Sequence, residues 1–137
     1  MLQNKLMLYG LAALLALGLG IGIVAFSRKK KVRFSKAKVN DALLPDGWSP
    51  TLLTKQLFDA MSGVTWSNDG SKLALEELNA LHDEQFKAVY NEFNKQHGNE
   101  SWFEKGSLRD WINDEYWLAS SKIGYAILER MDRLKLT

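Results

Sequence analysis

Two histidines and sixteen carboxylates are the side chains of this 137-residue chain that could hold a metal or act in catalysis, because cysteine is absent. His82 precedes a predicted helix and His97 ends it, so they lie about 22 Å apart along its axis, too far to share a metal ion. His97 is followed by Gly98, and a helix C-terminus favours a partly positive imidazole there. The spacing predicts structural histidines.

Pairs of consecutive acids at positions 76–77, 83–84 and 114–115 are the second candidate for chemistry, because a glycosidase uses two carboxyl groups at a set separation. Neighbouring residues on a helix point in different directions, however, and acids in a first helical turn complement the helix dipole. The nucleophile elbow, the phosphate loop and H-E-x-x-H are absent from the sequence. We predict no catalytic residue, metal site or cofactor; a lysis or cell-wall-degrading factor using Glu104 or Glu115 is an alternative.

Positive charge is concentrated in one short segment. Residues 28–38 carry seven Lys and Arg and no acid, whereas residues 39–137 carry ten Lys and Arg against all sixteen Asp and Glu. Near an anionic membrane each such charge contributes about 1 kcal/mol, so we interpret seven side chains as lipid-headgroup contacts: Arg28, Lys29, Lys30, Lys31, Arg33, Lys36 and Lys38. Nucleic-acid contact is an alternative, supported by a single interleaved aromatic, Phe34.

A membrane span precedes the basic segment. Residues 7–26 contain no charged side chain, and twenty helical residues extend about 30 Å, the thickness of a bilayer core. A signal peptide is the alternative, but its apolar region is shorter and only Lys5 precedes the run. Because the positive charges follow the span, the C-terminal domain is predicted on the cytoplasmic side or in an interior derived from it.

Gly18 and Gly22 form a G-x-x-x-G pair within this apolar run. Small residues at that spacing allow two membrane helices to approach closely, so the pair predicts a packing face in the membrane. A span that merely tolerates glycine is the alternative.

Aromatic side chains crowd the last third of the chain, six of them between residues 102 and 125. A domain of this size buries only a few such rings, and exposed aromatics form hot spots in protein interfaces. We predict partner contact, including self-association, through Trp102, Phe103, Trp117 and Tyr125. Packing in the core and anchoring at the lipid interface are the alternatives for these rings. No small-molecule substrate is predicted.

The elements that position these residues are short helices. Apolar residues recur at helical spacing after Ser49-Pro50, after Ser71, from Asp83 to a stop at Gly98, after Ser107 and over residues 115–134. No stretch alternates as a strand does. The fold class is therefore all-α, with an N-terminal transmembrane anchor at 1–27, a basic juxtamembrane collar and linker at 28–49, and an acidic bundle of about five helices at 50–137.

Four segments, 57–63, 75–81, 83–93 and 108–115, together resemble a single divergent annexin repeat of the bacterial or phage type. The resemblance implies an all-α repeat and a calcium- or lipid-binding module, with the loop at 63–69 and Glu115 as the ion ligands. The loop lacks the second glycine of annexin loops, and calcium prefers six to eight oxygen ligands. We therefore predict no metal site and keep the calcium- or lipid-binding module as an alternative.

These observations together predict a non-catalytic, single-pass membrane protein that acts as a structural or interaction subunit of a membrane-containing assembly. A minor membrane protein of a lipid-containing virus particle is one form of that assembly that suits the small size, the single span and the basic collar. Its expected partners are the lipid bilayer and other proteins of the assembly.

Overall fold

The computed structural model describes residues 33–62, 68–99, 106–115 and 121–137. Within these ranges the chain forms five α-helices and no strand, so the predicted all-α bundle is confirmed for this part of the molecule. The helices are α1 (Thr51–Met61), α2 (Asn68–Ala80), α3 (Asp83–His97), α4 (Leu108–Asp114) and α5 (Lys122–Leu134). A 3-10 turn at Asp41–Leu43 precedes them. The described residues belong to one compact unit that begins at Val32.

None of the helices in the described ranges combines the length and the apolar composition needed to cross a bilayer. The predicted span at 7–26, with Gly18 and Gly22, lies outside the described residues, as do the four cations at 28–31. The membrane anchor and its glycine face therefore stay predictions from the sequence.

Helix α3 contributes the largest share of the core. Its face of Phe86, Val89, Tyr90 and Phe93 is fully buried, as its spacing predicts. α3 packs against α1, α2 and α4, while α5 packs against α2 and α4. Burial of each such large side chain contributes roughly 1.5–3 kcal/mol, so the apolar face of α3 is a main source of stability for the described helices.

The predicted start of α2 is wrong by four residues. The helix begins at Asn68, whereas a cap at Ser71 places its first residue at Lys72. Asn and Asp are favoured in turns and equally at the N-terminus of a helix, so the same letters fit both structures. Within α2, Leu75 is buried while Leu73 is 66% exposed.

The last helix is shorter than predicted. α5 begins at Lys122, after Ser121 accepts a hydrogen bond from the Gly124 amide at 3.0 Å. Glu115, predicted as its first residue, instead ends α4 with φ −82° and ψ 88°, outside the helical region. Ser107 caps α4 as predicted, in a reciprocal capping box with Asp110.

The segment before α1 turns at residues 45–48, where Pro45-Asp46-Gly47 is a sequence typical of turns. The Trp48 amide donates to the Pro45 carbonyl at 3.0 Å, and Gly47 has φ +71°. A positive φ at the third position is the mark of a type II turn, which explains the glycine. α1 begins at Thr51, whose amide donates to Ser49 Oγ at 3.3 Å.

Candidate functional site

The described part of the basic collar lies along helix α3. The Ala37 amide donates to Asn91 Oδ1 at 2.8 Å, and Asn91 Nδ2 donates back to the Ala37 carbonyl at 2.9 Å. One asparagine side chain thus pairs with both backbone groups of Ala37, as a neighbouring strand would. This pair of hydrogen bonds fixes the collar on the helical domain.

Phe34 provides a second attachment, at the end of α3. Its ring lies so close to Gly98 that a Cβ at that position would fall within 2.9 Å of Phe34 Cδ2. Gly98 has φ −61°, an ordinary helical value, so the glycine is explained by the close approach of the ring and not by backbone conformation. The sequence analysis identified Gly98 only as the helix stop.

The third attachment is at the start of α3, where the Asn40 amide donates to Glu84 Oε2 at 2.7 Å. Lys87 Nζ donates to the other oxygen, Oε1, at 2.6 Å. Lys87 first, and the Asn40 amide second, hold the pKa of the Glu84 carboxyl below its ordinary value. Residues 33–40, predicted within the collar and linker, therefore run against the domain at three points.

The collar cations that the structure describes are accessible to solvent. Arg33, Lys36 and Lys38 are exposed, as is Ser35, while Phe34, Ala37 and Val39 are half-buried. The predicted headgroup contacts at these three positions are thus accessible, and contact with lipid stays a prediction.

A groove of about 710 Å³ lies between the collar and α3. Arg33 and Lys36 line it from the collar, and Lys95 lines it from α3. Two carboxylates, Asp41 and Glu92, also line it. The volume falls within the range of small-molecule sites in proteins, and the lining combines cations with apolar side chains.

Asn94 lines the same groove and is only 4% exposed. Its Oδ1 accepts a hydrogen bond from the Leu108 amide at 2.7 Å, which satisfies one of the free amides at the start of α4. Its Nδ2 has no acceptor among the described residues. An unsatisfied buried donor costs about 1–3 kcal/mol, so this amide is the unusual polar group of the groove.

Asp83 forms the strongest ionic cluster in the described residues, and its chemistry is structural. Arg130 Nη2 donates to Asp83 Oδ1 at 2.8 Å, and Arg133 Nη1 donates to Oδ2 at 2.9 Å. Arg130 also donates to the carbonyls of Asn79 and Leu81, which end α2. The two guanidinium groups, Arg133 foremost, hold the pKa of the Asp83 carboxyl far below its usual range, which suits an ion pair and not a proton donor.

Both histidines occupy structural positions, as their spacing predicts. His82 caps α3 by accepting from the Gln85 amide through Nδ1 at 3.4 Å. His97 stacks on Phe58 with ring centroids 3.9 Å apart, and Phe93 and Trp111 complete the aromatic cluster. The imidazole rings of His82 and His97 therefore lie at opposite ends of α3.

Tyr125 is the one predicted partner-contact residue that the structure describes, and it is 67% exposed on α5. Trp102, Phe103 and Trp117 lie outside the described residues, so partner contact at these positions stays a prediction. Trp111, from the same aromatic-rich stretch, is buried in the core.

In the described ranges no three His, Asp or Glu side chains come together as metal ligands. The alternatives that require a metal ion therefore have no candidate cluster within these ranges. Glu115 is half-buried at the end of α4. Residues 63–67 of the predicted calcium loop, and Glu104, lie outside the described residues.

Sequence reasoning missed Asn91, Asn94 and Lys95 as site residues. They lie more than fifty positions after the collar, on the face of α3 next to its apolar stripe. The available signal was weak: two asparagines within a helix, where this residue is disfavoured unless its side chain has a partner.

No protein-family model, curated protein or solved structure matches this chain. The annexin resemblance therefore stays a prediction, and the function has to be argued from the site itself.

Proposed function

We propose that this protein is a non-catalytic, single-pass membrane protein whose helical domain serves as an interaction subunit of a membrane-containing assembly. The observation that carries the proposal is the order of two segments: twenty residues without charge at 7–26, then seven cations and no acid at 28–38. This order fits a bilayer span followed by a collar on the cytoplasmic or interior side.

The geometry of the collar supports the proposal. Three attachments to α3 hold residues 33–40 on the domain while Arg33, Lys36 and Lys38 stay exposed. The exposed cations of this attached segment are available to anionic headgroups. Exposed Tyr125 on α5 offers an aromatic contact for another protein.

Membrane insertion and orientation can be tested together, because the chain contains no cysteine. Single substitutions Gln3→Cys and Gln56→Cys place one thiol before the span and one on an exposed position of α1. In intact cells, a membrane-impermeant maleimide is expected to label Gln3→Cys directly and Gln56→Cys only after permeabilisation. Release of the protein by carbonate wash, or the reverse labelling pattern, would contradict the proposal.

The assembly can be tested by crosslinking in intact membranes followed by mass spectrometry. A lipid-containing virus particle predicts stoichiometric copies of the chain in purified particles, crosslinked to other particle proteins. Absence from such particles would remove that form of the assembly and leave a cellular membrane complex.

A further inference from the structure

We propose that the groove between the collar and α3 binds the phosphate-bearing headgroup of an anionic phospholipid. The inference rests on the proposed membrane anchoring, because the bilayer would supply the ligand. It differs from a diffuse electrostatic collar in assigning specific side chains to one headgroup.

The charged side chains of the groove fit a phosphate. Arg33 and Lys36 from the collar and Lys95 from α3 outnumber the carboxylates Asp41 and Glu92. Glu92 is already engaged, since Gln96 Nε2 donates to it at 2.5 Å and Lys95 Nζ lies 3.3 Å away. The Lys95 side chain is 75% exposed, so its ammonium can turn from Glu92 to a ligand. A guanidinium and two ammonium groups are the donors that proteins use for phosphate oxygens.

Asn94 supplies an observation that is independent of charge. Its oxygen is committed to the Leu108 amide, which fixes the orientation of the side chain. Its buried Nδ2 has no acceptor among the described residues. One water bound between this buried amide and a phosphate oxygen in the groove would supply the missing acceptor.

The apolar lining favours a lipid over free phosphate. Phe34, Val39, Leu44 and Ala88 line the same groove as the cations. Free phosphate would leave these side chains against water, whereas the glycerol and first acyl carbons of a phospholipid would cover them. Seven positions separate Arg33 from Phe26, the end of the predicted span, so the groove lies within about 25 Å of chain from the bilayer.

The site is already assembled in this structure. The reciprocal hydrogen bonds between Ala37 and Asn91 and the seat of Phe34 on Gly98 hold the collar wall of the groove in place. A ligand therefore does not have to order that wall when it binds, which favours affinity.

The test compares two lysines of the same collar. Lys36 lines the groove, whereas Lys38 is equally exposed but does not line it. The full chain in dodecyl maltoside micelles is titrated with monomeric dihexanoyl phosphatidylglycerol, and native mass spectrometry gives the bound fraction. Lys36→Gln is expected to weaken the apparent Kd roughly tenfold, as loss of one charge-assisted hydrogen bond does, and Lys38→Gln by less than about twofold.

A second variant and a second ligand sharpen the result. Lys95→Gln on α3 is expected to weaken binding about as much as Lys36→Gln, although it lies outside the collar. Inorganic phosphate and dihexanoyl phosphatidylcholine are expected to bind at least about tenfold more weakly than phosphatidylglycerol, because each lacks either the apolar part or the net charge.

If Lys36→Gln and Lys38→Gln weakened the apparent Kd equally, diffuse electrostatic attraction would replace the proposed site. Inorganic phosphate binding as tightly as the lipid would also overturn the proposal. Carbonate extraction of the same variants separates this failure from failure of the proposed function. Variants that lose lipid affinity but stay in the membrane pellet retain the anchor, whereas an extractable unsubstituted chain would contradict the anchor itself.

Discussion

At the scale of single residues, Asp83 should make stability depend on acid pH. Two arginines stabilise the ionised form of its carboxyl group in the folded state. The pKa of the folded protein's Asp83 therefore lies far below the ordinary value of about 3.9. A depressed carboxyl pKa contributes stability that is fully present above about pH 4 and is lost as pH falls toward the folded pKa. The Asp83 side chain is 40% exposed, so solvent screening limits this contribution to about 1 kcal/mol.

Asp83→Asn should therefore lower the free energy of unfolding by about 1 kcal/mol at pH 7, with a smaller difference from the unsubstituted protein at pH 3. Urea titrations followed by tryptophan fluorescence measure this in the full chain, since all five tryptophans follow residue 47. Asp46→Asn, at an exposed turn position, is the control and should leave the pH dependence unchanged. If Asp83→Asn lowered the free energy of unfolding equally at pH 7 and pH 3, ionisation of Asp83 would not be the source of the stability.

Gly98 should be intolerant of a methyl group because of two neighbours. A Cβ would lie 2.5 Å from the Asn94 carbonyl oxygen and against the Phe34 ring. Gly98→Ala is expected to cost about 1–3 kcal/mol, the usual range for overpacking. In a Phe34→Ala background the loss of unfolding free energy caused by Gly98→Ala should be smaller, because one of the two clashes is gone. A double-mutant cycle, with each free energy of unfolding taken from a urea titration, measures this difference. Strictly additive costs would mean that Phe34 does not occupy this place in solution.

At the scale of elements, the end of α5 carries a strained residue. Lys135 has φ +57°, the left-handed region that favours glycine. The Leu136 amide donates to the Met131 carbonyl and the Lys135 amide to Asp132, the hydrogen bonds of a Schellman motif. The motif returns Leu136 into the core, where it is 4% exposed. The helix end therefore stabilises the domain despite its unfavourable cap residue.

Lys135→Gly should raise the free energy of unfolding by about 0.5 kcal/mol, because relief of the left-handed strain exceeds the entropy that glycine adds to the unfolded chain. Glu129→Gly, on the exposed face of the same helix, should lower it by about 1 kcal/mol. Thermal unfolding of the two variants would show opposite shifts. Two shifts of the same sign would contradict the cap assignment.

At the scale of the whole molecule, the collar should behave as part of the folded unit. A fragment from Val32 to Thr137 retains the contacts of Phe34, Ala37 and Asn40 with α3, whereas a fragment of residues 51–137 loses all of them. The longer fragment is expected to unfold cooperatively in urea, and the shorter to be less stable by about 2 kcal/mol or more, from lost hydrogen bonds and lost burial of Phe34. Equal stability would show that residues 33–50 are a simple linker.

Much of the helical architecture follows from the sequence because its causes are local. The apolar stripe of α3 at Phe86, Val89, Tyr90 and Phe93, the Ser107 cap and the turn at Gly47 each depend on residues within a few positions of one another. The start of α2 was misplaced for the same reason, since the local letters Asn68 to Ser71 suit a turn and a first helical turn alike.

Only the tertiary structure decided how distant residues combine. Ala37 and Asn91 are 54 positions apart and Asp83 and Arg133 are 50 apart, and no periodicity in the sequence pairs them. The sequence by itself determined the apolar run, the seven cations and the helical periodicity, because composition and spacing suffice for those. The groove of Arg33, Lys36, Asn94 and Lys95 arises only when the collar is laid along α3, because non-local hydrogen bonds and one close ring contact determine that placement.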